Sequence, residues 1–182
     1  MTQEERAALG NFGRETIISR YSMEKMAHDA IDVYKEMWER VRPKRNVVIS
    51  GYYGYHNSGD DIMLQSIVEN LRAQRDDLSL TVLSLNPKET RAQFDVNAIY
   101  RFNFISVWLR LRKTDLLLTG GGNLIQDETS TKSLIYYLWV INTARRRGAK
   151  NMLYAKGIGP VGRPRNVSRV RRALNKVELI TL

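Results

Sequence analysis

Apolar residues recur with a helical period through the first forty positions of the chain. Met23, Ala27, Ala30, Tyr34, Met37 or Trp38 and Val41 lie three or four apart, so a helix would gather them on one face, and Ser22 stands where a hydroxyl can cap its first turn. A shorter helix is expected over Glu4 to Ser19. The period changes at Arg42-Pro43-Lys44-Arg45, a polar stretch with a proline. This boundary divides the chain into a helical appendage with its linker, residues 1–45, and a second domain, residues 46–182. Beyond it, short β-branched or leucine-rich runs alternate with longer amphipathic stretches. The runs are Val47 to Ser50, Leu80 to Leu83, Asn97 to Tyr100, Leu116 to Thr119, Met152 to Ala155 and Leu179 to Leu182. Helices are expected over Asp60 to Gln74, Phe104 to Arg112, Thr131 to Arg147 and Val167 to Leu174.

Strands covered on both faces read as unbroken apolar runs, and strands alternating with helices imply right-handed crossovers and a mostly parallel sheet. The expected fold class is therefore α/β, a Rossmann-like parallel sheet domain with an N-terminal helical appendage. The last run ends at Leu182 without the loop and helix that normally follow, so the chain reads as cut short.

Composition narrows the chemistry. Of 182 residues, 43% are hydrophobic and 26% charged, the balance of a chain that folds around a core. There is no cysteine, which removes disulfides, thiolate zinc sites and thiol nucleophiles. The two histidines, His28 and His56, are far apart, so no metal site is expected. The first ten residues carry acids and no apolar run, unlike a signal peptide. The longest apolar stretches, Leu134 to Ile141 and Asp115 to Thr119, fall short of the roughly 20 residues that span a bilayer. A cytoplasmic location is expected.

Three glycine-bearing loops follow strands, where open α/β sheets bind their ligands. The first, Gly51-Tyr52-Tyr53-Gly54-Tyr55-His56-Asn57-Ser58-Gly59-Asp60, combines glycines that let backbone approach a ligand with a helix start whose N–H groups can meet an anion or hydroxyl. Its glycine spacing is not the dinucleotide fingerprint, and no acid closes the second strand, which disfavours a nicotinamide cofactor. A tight turn with Asp60 as a first-turn charge explains the same residues. The second loop, Gly120-Gly121-Gly122-Asn123-Leu124-Ile125-Gln126-Asp127, spends three successive glycines after an apolar strand, which answers a need for close approach or positive φ. Gln126 and Asp127 can bond a polyhydroxylated ligand or cap the next helix. The third, Lys156-Gly157-Ile158-Gly159-Pro160, sets a cation at a strand end where it could meet a phosphate.

The 29 Lys and Arg exceed the 19 Asp and Glu by ten. Arg145-Arg146-Arg147, Lys150, Arg163, Arg165, Arg169, Arg171 and Arg172 concentrate that excess in the last third, which suits contact with anionic lipid or phosphorylated substrates. No nucleic-acid fold signature or aromatic stacking platform accompanies it, so nucleic acid is not an expected partner.

From about Asn46 to Leu182 the chain resembles the N-terminal half of bacterial polysaccharide pyruvyl transferases. The resemblance rests on Ser50-Gly51-Tyr52-Tyr53-Gly54 with Asn57-Ser58-Gly59-Asp60, Arg101-Phe102-Asn103, Asp115 with Thr119 to Asp127, and Gly157-Ile158-Gly159-Pro160. It implies half of a GT-B-like enzyme that moves pyruvate from phosphoenolpyruvate onto two sugar hydroxyls as a cyclic ketal. The N-terminal half would face the acceptor, a saccharide, lipid-linked on this reading, and a further C-terminal domain would grip much of the donor. The N-terminal helices, whose apolar face needs a partner, could drive self-association if their original partner domain is missing. No cofactor beyond the phosphoenolpyruvate co-substrate is implied. Within the first 42 residues, Leu9 to Glu15 and Tyr21 to Met26 with Tyr34 and Trp38 resemble the closing helices of a family-4-type glycosyltransferase.

Such chemistry needs a base for the hydroxyls, a proton for the enol carbon and cations for the phosphate. Asp60 and Asp127 are the expected carboxylates, Lys156 and Arg101 the expected cations. Asn57, Asn123 and Gln126 suit sugar hydroxyls, and Tyr52, Tyr53 or Tyr55 a sugar face. His56, as an imidazole, could transfer protons. A GT-B glycosyltransferase using a nucleotide sugar, and a non-catalytic saccharide-binding module, remain alternatives.

Overall fold

The structure is a computed structural model and describes residues 2–41, 44–128, 130–155 and 157–181. The chain divides into two units, Met1–Pro43 and Lys44–Leu182.

The first unit holds α1 (Gln3–Tyr21) and α2 (Met23–Val41). Thr2 and Glu5 close a reciprocal capping box at the start of α1, and the Ser22 hydroxyl accepts from the Lys25 N–H at 3.1 Å, the cap expected for α2. Leu9, Phe12, Ile17 and Ile18 on α1 and Met23, Met26, Ile31 and Val33 on α2 are exposed. The side chains of Tyr34, Met37, Trp38 and Val41, expected on the apolar face, lie outside the described residues.

The second unit contains β1 (Arg45–Tyr53), α3 (Ser58–Gln74), β2 (Leu78–Ser84), α4 (Pro87–Phe94), β3 (Asn97–Tyr100), α5 (Phe104–Leu111), β4 (Leu116–Gly120), α6 (Thr131–Arg146), β5 (Lys150–Tyr154), α7 (Pro164–Leu174) and β6 (Leu179–Ile180). The strands form one parallel sheet in the order β3-β2-β1-β4-β5-β6, the α/β Rossmann arrangement. Val47 to Ser50 pair with Leu116 to Thr119 across its centre. Successive residues of a strand face opposite ways, so Val47, Ile49 and Leu118 pack with Leu64, Ile67 and Val68 of α3 and Phe94 of α4. Val48, Leu117 and Leu153 pack with Val107 and Leu111 of α5, Leu134 and Ile141 of α6, and Val170 and Ala173 of α7.

Every expected strand is present, although β6 extends only over Leu179–Ile180, and the expected helices differ at their ends. Helix α7 begins earlier than expected, at Pro164, whose fixed φ suits the first helical position. Helix α4 was not expected. It is polar, and only Thr90 and Phe94 are buried, too few positions to mark a period. No helix among the described residues is long and apolar enough to cross a membrane.

Candidate functional site

The strand order reverses between β1 and β4. Loops leaving neighbouring strands there head to opposite faces of the sheet and open a crevice between them. The crevice is a cleft of about 470 Å³. Tyr52, Asn57 and Asp60 line it from the β1 side, and Gly122, Asn123, Leu124, Gln126, Ser130 and Ser133 from the β4 side.

Asp60 sits in the first turn of α3 and is 8% exposed. Asn57, the N-cap residue, holds it in place: its Nδ2 donates to Asp60 Oδ2 at 2.6 Å, while its Oδ1 accepts from the Gly59 N–H at 3.3 Å. One of the helix N–H groups expected to meet a ligand is thus already satisfied. Gly121 and Gly122 have φ of +78° and +59°, and a Cβ at either would lie 3.2–3.3 Å from Asp60 Oδ1. The glycine run therefore turns the chain tightly around this carboxylate.

Tyr52 lines the cleft and is stacked on Tyr55 with ring centroids 3.8 Å apart. The Arg101 guanidinium lies 5.5 Å from the Tyr55 centroid, so a cation backs an aromatic pair whose outer member reaches the cleft. Arg101 itself is 3% exposed. It donates to the Gly51 carbonyl at 3.0 Å and to Tyr137 Oη at 2.9 Å, with the rings of Phe102, Tyr136 and Tyr137 within 5.2 Å. Burial pushes the Tyr136 phenol up to about 12 despite that cation, so at neutral pH it remains protonated and bonds the Arg101 carbonyl at 3.0 Å. Arg101, expected to meet a phosphate, is instead a buried tie.

Other expected site residues are also structural. Tyr53 is fully buried and offers no ring face to a sugar. Its hydroxyl donates to the Gly120 carbonyl at 3.0 Å, and burial, reinforced by the Asp60 charge, pushes its pKa well up. Gly51 makes room for that ring rather than for a ligand, since a Cβ there would lie 2.3 Å from it. Gly54 packs on Ser84, and Gly120 on Ile67 of α3. Asp127, expected as a base, accepts from Gly162 N at 2.8 Å, Arg163 N at 3.2 Å and Asn166 Nδ2 at 2.8 Å. The Asn166 bond foremost, with those backbone donors, holds its carboxyl below the ordinary range. It anchors the start of α7. His56 lies outside the cleft, 3.4 Å from Glu89 on α4, in a separate crevice with Gly54 and Asp61.

The third loop is joined to the second. Ile125 and Ile158 form a parallel bridge, Gly159 N donates to the Ile125 carbonyl at 2.8 Å, and Asn123 Nδ2 donates to the Gly159 carbonyl. Gly157 packs against the Asn123 side chain. Lys156 lies outside the described residues. Three lining residues were not among the expected site residues, Leu124, Ser130 and Ser133; the two serines matter for hydrogen bonding. Their signal was a serine immediately before the Thr131 helix, where Ser130 is the N-cap. Among the described residues, no group of three or more His, Asp and Glu could hold a metal ion.

Residues 57–182, more than half of the chain, match the family model described as polysaccharide pyruvyl transferase. No curated protein matches significantly. Among solved structures, a Listeria monocytogenes protein assigned as a UDP-N-acetylglucosamine 2-epimerase aligns at 17% identity and TM-score 0.42, over 76% of this chain and 38% of its own. A Rossmann-fold NAD(P)-binding family protein from Shigella flexneri aligns at 19% identity and TM-score 0.43, over 75% of this chain and 65% of its own. The chain thus spans less than two thirds of either.

Proposed function

Because the chain belongs to the polysaccharide pyruvyl transferase family, a family of transferases, we propose that it supplies the acceptor-side domain of an enzyme that moves pyruvate from phosphoenolpyruvate onto two hydroxyls of a cell-wall or surface polysaccharide sugar. The observation that carries this reading is the composition of the cleft. Among the described residues, Asp60 is the only carboxylate that lines it, no Lys, Arg or His does, and the remaining lining is amide, hydroxyl, glycine, leucine and one tyrosine. A neutral polyol finds hydrogen-bond partners and a stacking ring there.

On this reading Lys156, expected to meet the phosphate, and a C-terminal domain hold the donor. In the reaction, C3 of the enol gains a proton, one sugar oxygen bonds to C2, and the C2–O bond to phosphate breaks. The second sugar oxygen then bonds to C2 and closes the ketal. Of the two hydroxyl protons, one balances the proton gained at C3 and the other leaves with the phosphate. Asp60 takes the proton of an attacking hydroxyl, Asn57 holds Asp60 oriented, Asn123, Gln126, Ser130 and Ser133 position the sugar, and Tyr52 carries its face. No cofactor enters this scheme. The reading takes the acceptor to be lipid-linked and the reaction to be cytoplasmic.

Calorimetric titration of the chain with a soluble β-linked amino-sugar disaccharide and, separately, with phosphoenolpyruvate tests the assignment. Saccharide binding without donor binding is the expected result; donor binding without saccharide binding overturns it. In the complete enzyme, D60N should lower turnover by roughly 10²-fold or more, and a loss within about threefold would remove Asp60 from acid–base work.

A further inference from the structure

Helix α6 lines the cleft at Ser133, and its later turns line a second hollow of about 520 Å³ between α6 and α7. The floor is apolar, formed by Ile135, Leu138, Trp139 and Ala173, and the rim carries Arg145, Arg146, Arg169, Arg172 and Lys176. None of these five cations makes an ion pair with a described residue, and Arg145 Nε is buried without a partner. The cause is visible in the helices themselves. Neither α5, α6 nor α7 contains a single Asp or Glu, so these helices carry no acid of their own to offset the charge.

Apolar side chains continue outward from this hollow. Arg112 and Arg147 lie over the Trp108 ring, 5.0 and 4.7 Å from its centroid, beside a further hollow shared by Trp108, Trp139 and Arg146. On α5, Phe104, Ile105 and Leu109 are exposed, Ile105 by 75%. A phosphodiester backbone would match the cations but would gain nothing from these aliphatic groups. A bilayer interface matches both, because headgroup phosphates meet the cations, tryptophans settle at headgroup depth, and aliphatic tips reach the acyl boundary.

We propose that the α5–α6–α7 face is a docking surface for an anionic membrane leaflet, with the rim cations on headgroup phosphates and Phe104, Ile105 and Leu109 dipping into the interface. The proposal does not depend on the reaction assigned to the cleft. Its consequence is that α6, with its first turn at the cleft and its later turns on this face, would hold the cleft close to the membrane.

Co-sedimentation of the full chain with phosphatidylglycerol-containing vesicles, against pure phosphatidylcholine vesicles, tests it. Expected are binding to the anionic vesicles at low salt, loss of that binding as salt screens the charges, and little binding to the neutral ones. The double variant R146Q/R172Q should weaken partitioning at least about tenfold, since each basic residue near an anionic surface is worth about fivefold. Both side chains are exposed, so their replacement leaves the core intact, and unchanged far-ultraviolet circular dichroism checks that. I105S should reduce what binding persists at intermediate salt. Equal binding to neutral vesicles, or wild-type partitioning by R146Q/R172Q, overturns the proposal. So does a chain that ignores vesicles but either retains an RNA oligonucleotide or forms a dimer that R146Q/R172Q dissociates.

Discussion

Towards the sheet, the α3–α4 layer and the α5–α6–α7 layer are built alike. Each buries leucine, isoleucine or valine against alternate residues of the same strands, and Leu64 on one side is as fully buried as Leu134 on the other. Towards solvent they differ. Helices α3 and α4 mix Asp61, Glu69 and Glu89 with Arg72, Lys88 and Arg91, whereas the other three helices carry cations and no acid. Folding needs only the inner pattern, which both layers satisfy. The outer imbalance adds self-repulsion to one side, and that is why it points to a partner rather than to stability. The cleft lies where the two layers meet and takes its carboxylate from the start of α3 and Ser133 from the start of α6.

The comparison can be broken first at its common part. L64A and L134A should each destabilise the protein by about 2–5 kcal/mol in denaturant unfolding, and a clear inequality would show that the two cores are not equivalent. R101A removes the tie between Gly51 on β1 and Tyr137 on α6 and should cost about 2–3 kcal/mol. Because Arg101 also backs the Tyr55–Tyr52 stack, disaccharide affinity should fall with it; in the complete enzyme, a raised KM for phosphoenolpyruvate at unchanged stability and disaccharide affinity would restore Arg101 to phosphate binding. Y53F deletes one buried hydrogen bond to Gly120 and should cost about 1 kcal/mol.

D127N sharpens the contrast between a structural and a chemical carboxylate. The Asp127 carboxyl is more acidic folded than unfolded, so its contribution is complete at neutral pH and is lost as the pH falls below the ordinary carboxylate value towards the folded one. The stability gap between wild type and D127N should therefore narrow on acidification, read from unfolding midpoints against pH. The smallest effect separates the two outer surfaces. Ile62 on α3 and Ile105 on α5 are 68% and 75% exposed, so I62S and I105S should each change stability by no more than about 0.5 kcal/mol. Only I105S should weaken vesicle binding.

The β-branched and leucine runs announced all six strands because a strand covered on both faces has no polar alternation to confuse it. Helix α4 escaped because eight mostly polar residues carry no readable period. Asp60 and Gly122 were legible as candidates, and both line the cleft, because they follow strands at the edge where open α/β sheets bind ligands. Asp127, Arg101 and Tyr53 had the same kind of position in the chain, and their roles were still misread. Asp127 is engaged by donors at positions 162, 163 and 166, Arg101 is enclosed by tyrosines at 136 and 137, and Tyr53 is buried because Gly51 and Gly120 leave space for it. Local spacing determined the elements, the fold class and the edge of the sheet that bears the site, since each follows from what neighbouring residues can bury. Only the tertiary structure decided which polar groups at that edge face the cleft, because residues brought from 35 to 67 positions away can saturate a carboxylate or cage a cation without leaving a local trace in the sequence.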